Sequence, residues 1–417
     1  MERIDVLVVG AGPAGLAAAI AAREAGCKSL RVIEREERAG GVLRQCIHNG
    51  FGLHRFGEEL TGPEYAARDI RKAAELGIEI DVSTTVLSVS NDRVVTVISK
   101  SRGLETIACG AIVLAMGCRE RPRGALSTPG TRPAGIYTAG NAQKMINLMG
   151  LMPGKHAVIL GSGDIGLIMA RRLTLQGAKV LACVEIMPYS GGLNRNIVQC
   201  LQDFDIPLYL SHTITDIRGS ERLTGVTMSR VDENRVPIKG TETEFECDTL
   251  LLSCGLIPEN ELTQRAGVEL DSATGGARVT DRLETSVSGV FACGNVLHVH
   301  DLVDYVSEES AVAGRAAYEY AQGARDFAGR VKVVSGNNVR GAVPQFIDKD
   351  STGDVRIMFR VGKILKRARV LVTEGNNELL SVRKPVLVPG EMVNITLSGE
   401  KARSAGEITV SAFGGDE

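Results

Sequence analysis

The sequence predicts an α/β fold built from two doubly wound units, the second inserted into the first, with a small all-β, sandwich-like module at the C-terminus. Three observations predict it. Residues 6–41 and 157–192 repeat one glycine pattern at a constant offset of 151. An apolar strand ending in glycine follows each copy by about 100 residues. From about Val331 the texture changes to short alternating runs separated by glycine and asparagine turns.

The first copy opens with the apolar run Ile4-Asp5-Val6-Leu7-Val8-Val9, which suits a parallel strand buried on both faces. Gly10-Ala11-Gly12-Pro13-Ala14-Gly15 follows, then an alanine-rich run to Arg23. Gly10 permits a tight turn, Gly12 lets the backbone approach a pyrophosphate, and Gly15 lets helix and strand pack closely. The phosphates then meet the unpaired N–H groups and the positive dipole end of the helix. The next strand, Leu30-Arg31-Val32-Ile33, ends at Glu34, where a carboxylate can hold both ribose hydroxyls.

The second copy runs Ala157-Val158-Ile159-Leu160, then Gly161-Ser162-Gly163-Asp164-Ile165-Gly166. Its second strand, Lys179 to Val184, ends at Glu185. Gly26 matches Gly177, Glu34 matches Glu185, and Gly40-Gly41 matches Gly191-Gly192. One such fingerprint is weak; two complete copies imply two Rossmann-like domains and two dinucleotides on one chain. Glu185 would repel a 2′-phosphate and no Arg or Lys follows within nine residues, so NAD is expected over NADP at this copy.

Ala111 to Gly117 and Asp248 to Gly255 are the apolar strands that near the return of each domain, and Gly289-Val290-Phe291-Ala292-Cys293-Gly294-Asn295 is a third, arriving after the second domain has finished. The second domain therefore reads as an insertion. The expected boundaries are 1–122 with 260–328 for the first domain, 123–259 for the second and 331–417 for the module. A helix from about Ser307 to Gln322 closes the first domain. In the module, the runs 355–361, 368–372, 392–397 and 408–411 alternate as half-buried strands do, with a turn at Gly375-Asn376-Asn377. Its core is thin for an independent domain, so it is expected to dock on its own chain or on another subunit.

Composition narrows the function. A net charge of −2, aromatics of 4% and no Trp argue against a nucleic-acid surface. Nine cysteines at scattered positions, with no Cys-x-x-Cys, read as free thiols in a reducing cytosol, without a zinc ribbon or ferredoxin-type cluster. The apolar stretch from Val6 to Ala22 is broken by the fingerprint glycines and proline, so no membrane span is expected, and no signal peptide precedes it.

In combination these motifs resemble the FAD-dependent pyridine-nucleotide oxidoreductases, with the compact order of thioredoxin reductase. Residues 10–15 are similar to that family's FAD fingerprint, residues 161–166 to its nicotinamide fingerprint, 115–117 to its strand-end glycine motif, and 289–295 to the motif holding the flavin ribityl chain. The resemblance covers about residues 1–325. The stretch 40–65 looks closest to flavoproteins found beside anaerobic-type glycerol-3-phosphate dehydrogenases, and next closest to the α subunits of dye-linked amino-acid dehydrogenases. The resemblance implies that FAD is held by Gly10, Gly12, Pro13, Ala14, Gly15, Glu34, Arg35, Gly41, Val42, Arg44, Ala115, Gly117, Gly294 and Asn295. It implies that NAD is held by Gly161, Gly163, Asp164, Ile165, Glu185 and Gly255.

Two departures matter. Cys46 follows Gly40-Gly41 without the partner cysteine of the disulfide reductases, so no redox-active disulfide is expected. The ribityl motif ends Gly294-Asn295 where Gly-Asp is usual; Asn still donates and accepts hydrogen bonds.

Hydride transfer between nicotinamide and flavin needs alignment more than acid–base help. Cys46, His48 and His300 are nevertheless the candidates for chemistry: Cys46 as a gate or charge-transfer donor or as a plain buried cysteine, the histidines as flavin-tuning, proton-shuttling or structural groups. His298-Val299-His300 has a metal-like spacing, but its local pattern lacks a carboxylate or cysteine set, so no metal is expected.

The expected protein is a cytoplasmic flavoenzyme passing electrons between NADH and FAD. Its expected place is in a multi-subunit dehydrogenase, with an iron–sulfur protein as relay and a substrate-oxidising flavoprotein dehydrogenase as partner. A self-contained NADH oxidase or small-acceptor reductase is one alternative. The other is a non-catalytic nucleotide-binding subunit with a role in assembly.

Overall fold

The computed structural model describes residues 2–323 and 329–415; the expected ends of the first domain at 328 and of the module at 417 lie outside them. The chain divides into two compact units, Met1–Cys118 with Pro258–Glu417, and Arg119–Ile257. The divisions fall a few residues before the expected 122/123 and 259/260, and the C-terminal residues group with the first unit.

In the first unit, the strand Glu2–Val9 lies between Leu30–Ile33 and Gly103–Leu114, parallel to both. Val6, Leu7 and Val8 are wholly buried, as the uninterrupted apolar run requires of a strand covered on both faces. Glu79–Asp81 extends the sheet on one side, and the antiparallel strands Val94–Ser99 and Thr84–Val89 extend it on the other. Val290–Ala292 returns to pair with Ile112 to Leu114, so the third glycine-ended strand rejoins the sheet that the fingerprint began.

The helix Pro13–Glu24 starts with Pro in its first turn, where the missing N–H costs nothing. Its alanine face lets the helix Val303–Gln322 come close: a Cβ on Gly314 would lie 1.9 Å from the Ala18 carbonyl oxygen. That second helix begins at Val303, one turn before the expected Ser307. Asp304 in its first turn complements the positive dipole end, and Val306 is buried.

The second unit repeats the plan. Ile136–Thr138, Thr249–Leu252, His156–Leu160, Lys179–Glu185 and Leu208–Leu210 form a five-stranded parallel sheet in that order. The helix Asp164–Leu175 covers it, and Leu167, Met169, Ala170 and Leu173 are buried. His212–Gly219, Leu223–Arg230 and Thr243–Glu246 form a separate antiparallel sheet.

The C-terminal residues form two sheets around their own apolar core, which includes Val331, Ile357, Phe359, Val370 and Val410. One sheet has the order Phe346–Asp348, Arg330–Ser335, Glu407–Phe413, Leu365–Glu374, Asn377–Leu387; the other is Val339–Val343, Val355–Val361, Val393–Leu397. Leu365–Glu374 and Asn377–Leu387 close a hairpin through Gly375, whose φ of +54° favours glycine. This module docks on its own chain. Gln345 accepts the Val279 N–H at 2.9 Å, and Asp281 accepts the Asp348 N–H at 2.9 Å. Among the described residues, no helix is long and apolar enough to cross a membrane.

Candidate dinucleotide sites

Each unit presents a glycine turn from strand to helix, and the two turns are built alike. Gly10 N–H donates to the Ile33 carbonyl at 2.8 Å, and Gly161 N–H to the Val184 carbonyl at 2.7 Å. A Cβ on Gly10 would lie 2.6 Å from the Ala115 carbonyl oxygen, and one on Gly161 would lie 2.1 Å from that of Ser253. Both glycines have φ near +100° (+103° and +101°), so any other residue here is strained as well as crowded. The Ala115 carbonyl thus closes over the first turn, and Ser253, which the sequence does not single out, does the same over the second.

The two acidic residues are also used alike. Glu34 accepts the Ala11 N–H at 2.8 Å and the Glu36 N–H at 2.9 Å. Glu185 accepts the Ser162 N–H at 2.9 Å, the Ser162 hydroxyl at 2.7 Å and the Met187 N–H at 2.9 Å. Each carboxylate therefore ties the second residue of its fingerprint to its own strand end, a structural duty beyond the ribose contact expected of it.

Both sites fit a dinucleotide by the same test. Gly12 and Gly163 are the N-caps of Pro13–Glu24 and Asp164–Leu175, and neither helix has a side-chain cap bond. First-turn N–H groups left without a cap suit a pyrophosphate. In the first unit Gly41 lies over Gly12, since a Cβ on Gly41 would come within 2.9 Å of the Gly12 Cα, and Gly40 N–H donates to the Ala11 carbonyl at 2.8 Å. Ala14 meets Gly294 on the other side, where an added Cβ would stand 2.7 Å from the Ala14 Cβ. Gly10 to Gly15, Glu34, Gly41, Ala115 and Gly294 are thus brought together.

Arg35 and Val42 are exposed, and Arg44 and Gly117 half-buried. In the second unit Asp164 accepts the Leu193 N–H at 2.8 Å and the Asn196 side-chain amide at 2.7 Å, so it holds the 193–196 segment beside the fingerprint. Ile165 packs against the core of that unit, and Gly255, with φ +95°, accepts the Arg121 N–H at 3.0 Å.

The pyridine nucleotide-disulphide oxidoreductase family matches residues 4–326. The chain belongs to that family. Its members use FAD and NAD(P)H. Among relatives, the chain is 27% identical over 316 residues to an opine oxidase subunit of Agrobacterium tumefaciens (strain Ach5), covering 70% of this chain and 61% of that one. It is 28% identical over 315 residues to a thioredoxin reductase of Mycolicibacterium smegmatis, covering 74% and 91%. A crystal structure of T. acidophilum thioredoxin reductase has the same fold, with a TM-score of 0.63 at 24% identity over 78% of this chain and 100% of that one. The chain spans about three fifths of the length of the first curated relatives it matches.

The candidates for chemistry have distinct settings in the chain. The Cys46 thiol donates to the Val42 carbonyl at 3.3 Å, and burial pushes it up to about 12, so at neutral pH it is a thiol rather than a thiolate. The His48 ring lies 3.0 Å from the Asn49 carbonyl oxygen and packs on Phe51 at 5.0 Å between ring centroids. The His300 N–H donates to the Asn295 side-chain oxygen at 3.0 Å, while the Asn295 amide faces the Cys118 sulfur at 3.6 Å.

His298 and His300 gain a carboxylate that their local pattern lacks. Glu309, from the helix Val303–Gln322, lies 2.6 Å from His298 Nε2 and 3.4 Å from His300 Nε2. The three groups offer ligand-capable atoms within 4.8 Å of one another. A missing carboxylate therefore no longer counts against a metal here. Sequence reasoning passed over Glu309 because it comes from a separate element, and its neighbour Glu308 faces out to pair with Arg356 at 2.7 Å.

Proposed function

We propose that the chain is a FAD-dependent NAD(H) oxidoreductase, passing electrons between NADH and bound FAD as one subunit of a multi-subunit dehydrogenase. The observation that carries this reading is the duplicated cradle: two uncapped helix N-termini, each behind a glycine turn braced by its own glutamate. In this reading residues 1–122 and 260–328 form the FAD domain, 123–259 the NAD domain and 331–417 the accessory module. FAD, once bound, supplies the hydride and electron chemistry; the residues of the chain bind it, orient it and keep water away. Glu185 favours NAD because a second negative group close to it would be repelled.

The subunit role is supported by likeness to a relative named as a subunit of opine oxidase, and by the lack of a Cys-x-x-Cys that could carry a dithiol relay. The finer reading, a partner dehydrogenase of the glycerol-3-phosphate type with an iron–sulfur relay, rests on residues 40–65 alone. One observation favours a self-contained reductase instead: the chain covers 91% of the M. smegmatis thioredoxin reductase.

The test is an anaerobic titration followed at flavin wavelengths. NADH bleaches the flavin and NADPH does so much more weakly; equal bleaching by both refutes the reading of Glu185. Native purification separates the two assembly readings. Co-isolation with a flavoprotein partner supports the multi-subunit enzyme, and full activity of the lone chain with a physiological acceptor opposes it.

A further inference from the structure

We infer that Glu309 is a positioning residue for the Gly294-Asn295 turn, so that retention of FAD and its midpoint potential both depend on this buried carboxylate; the inference rests on the reading above that FAD lies against that turn.

The turn is crowded on its fingerprint side. Gly294 has φ +70°, and a Cβ there would strike Ala14. Its N–H points into the interior and donates to Glu309 Oε1 at 2.8 Å. Without Glu309 that buried donor would lose this acceptor, which costs more than an ordinary hydrogen bond gains. The other oxygen, Oε2, faces His298 Nε2 at 2.6 Å and His300 Nε2 at 3.4 Å, and the His300 N–H returns to the side chain of Asn295. The carboxylate thus holds Gly294 directly, and it stands beside the His300 ring, whose own backbone N–H holds Asn295.

Core packing alone does not explain a carboxylate here. The Glu309 side chain is 3% exposed on a helix whose other buried positions include Ser307, Ser310, Ala313, Gly314 and Ala317. An ionised group at such a site is costly unless it is paired and hydrogen-bonded. Burial raises the carboxyl, but His298 and His300 and the hydrogen bonds they supply outweigh it and hold Glu309 below the usual carboxylate range. A metal is the competing occupant. Two ligands about 2.1 Å from one ion stand about 3 Å apart or more; the 2.6 Å between His298 and Glu309 is a hydrogen-bond distance.

The experiment uses the full chain loaded with FAD, with Glu309→Ala and Glu309→Gln beside the wild type. FAD dissociation is read by recovery of flavin fluorescence, and the midpoint potential by spectroelectrochemistry. E309A weakens FAD binding by about tenfold or more. E309Q keeps an acceptor for Gly294 and binds FAD within about threefold of wild type, yet its potential moves positive because a negative charge has gone. If E309A does not fold, the potential of E309Q carries the test. FAD affinity and potential both unchanged in the variants would overturn the inference, as would one equivalent of zinc or iron in the wild type that E309Q loses. A wild type that takes up no FAD would defeat the functional reading itself, a result distinct from wild-type flavin with indifferent variants.

Discussion

Arg360 of the C-terminal module pairs with Asp301, six residues beyond Asn295. The same guanidinium donates to the Val299 carbonyl at 3.1 Å and to the Gly390 carbonyl, while the Met392 N–H also donates to Asp301. Arg356 adds a second link, to Glu308 at 2.7 Å. Two strand residues and one loop of the module therefore hold the segment between the Gly294-Asn295 turn and the helix that carries Glu309.

Arg360→Ala should lower stability by about 1–2 kcal/mol, because a partly buried ion pair is lost together with a donor to two carbonyls. Lys at this position should not restore it, since a point charge cannot serve Asp301, Val299 and Gly390 from one planar fork. Urea unfolding reads the stability, and the rate of flavin release at a fixed temperature reads the consequence at the turn. Release as slow as in wild type, with stability intact, would show that the module is only a passenger.

The division between what could and could not be read from the chain follows contact distance. Gly10, Gly12, Gly15 and their copies at Gly161, Gly163 and Gly166 were legible because one short segment supplies the whole turn. The alternating run Val355–Val361 was legible because it is a two-sided strand in the observed sheet. Glu34 and Glu185 were recognised for a ribose, but not for bracing Ala11 and Ser162, each 23 residues away in sequence. Glu308 and Glu309 are adjacent and chemically equal; about 100° of helical rotation sends one to Arg356 and the other to a buried histidine pair, and only the packed neighbours decide which. Arg360 carries no sequence signal at all, because its value depends on a fold that brings residue 301 to it.

The buried histidine gives a pH signature. Burial pushes His298 below its ordinary value, with His300 and Arg360 acting in the same direction and Glu309 against it. As pH falls through about 6.5 the unfolded chain takes up this proton and the folded chain does not, so stability is lost on acidification from that point downward. His298→Gln removes the titration while keeping a donor for Glu309. Urea midpoints measured from about pH 7.5 to pH 5.5 should fall more steeply for wild type than for H298Q, by no more than about 1.4 kcal/mol per pH unit for one proton. Parallel curves would mean that His298 titrates alike in both states. Acid-sensitive groups away from His298 are common to the two proteins and cancel in the comparison; Glu309, which His298 touches, is removed from it by repeating the pair in an E309Q background.

Glu185 supplies the prediction that decides the nicotinamide. Its carboxylate takes two donors from Ser162 and one from Met187, so it is fixed in place rather than free to swing away from a ligand. A phosphate on the adenosine ribose would meet a held negative charge, and at an effective dielectric near 20 that repulsion is worth a few kcal/mol at close range. Glu185→Gln keeps an acceptor for Ser162 and removes the charge. The ratio of kcat/KM for NADH to that for NADPH should fall by about tenfold or more, mostly through a lower KM for NADPH, with flavin content unchanged. Glu185→Ala should also loosen the turn, raising KM for NADH as well. Should the Gln variant keep the wild-type ratio, the preference must be set by other residues, and the carboxylate would be left with only its bracing of the second glycine turn.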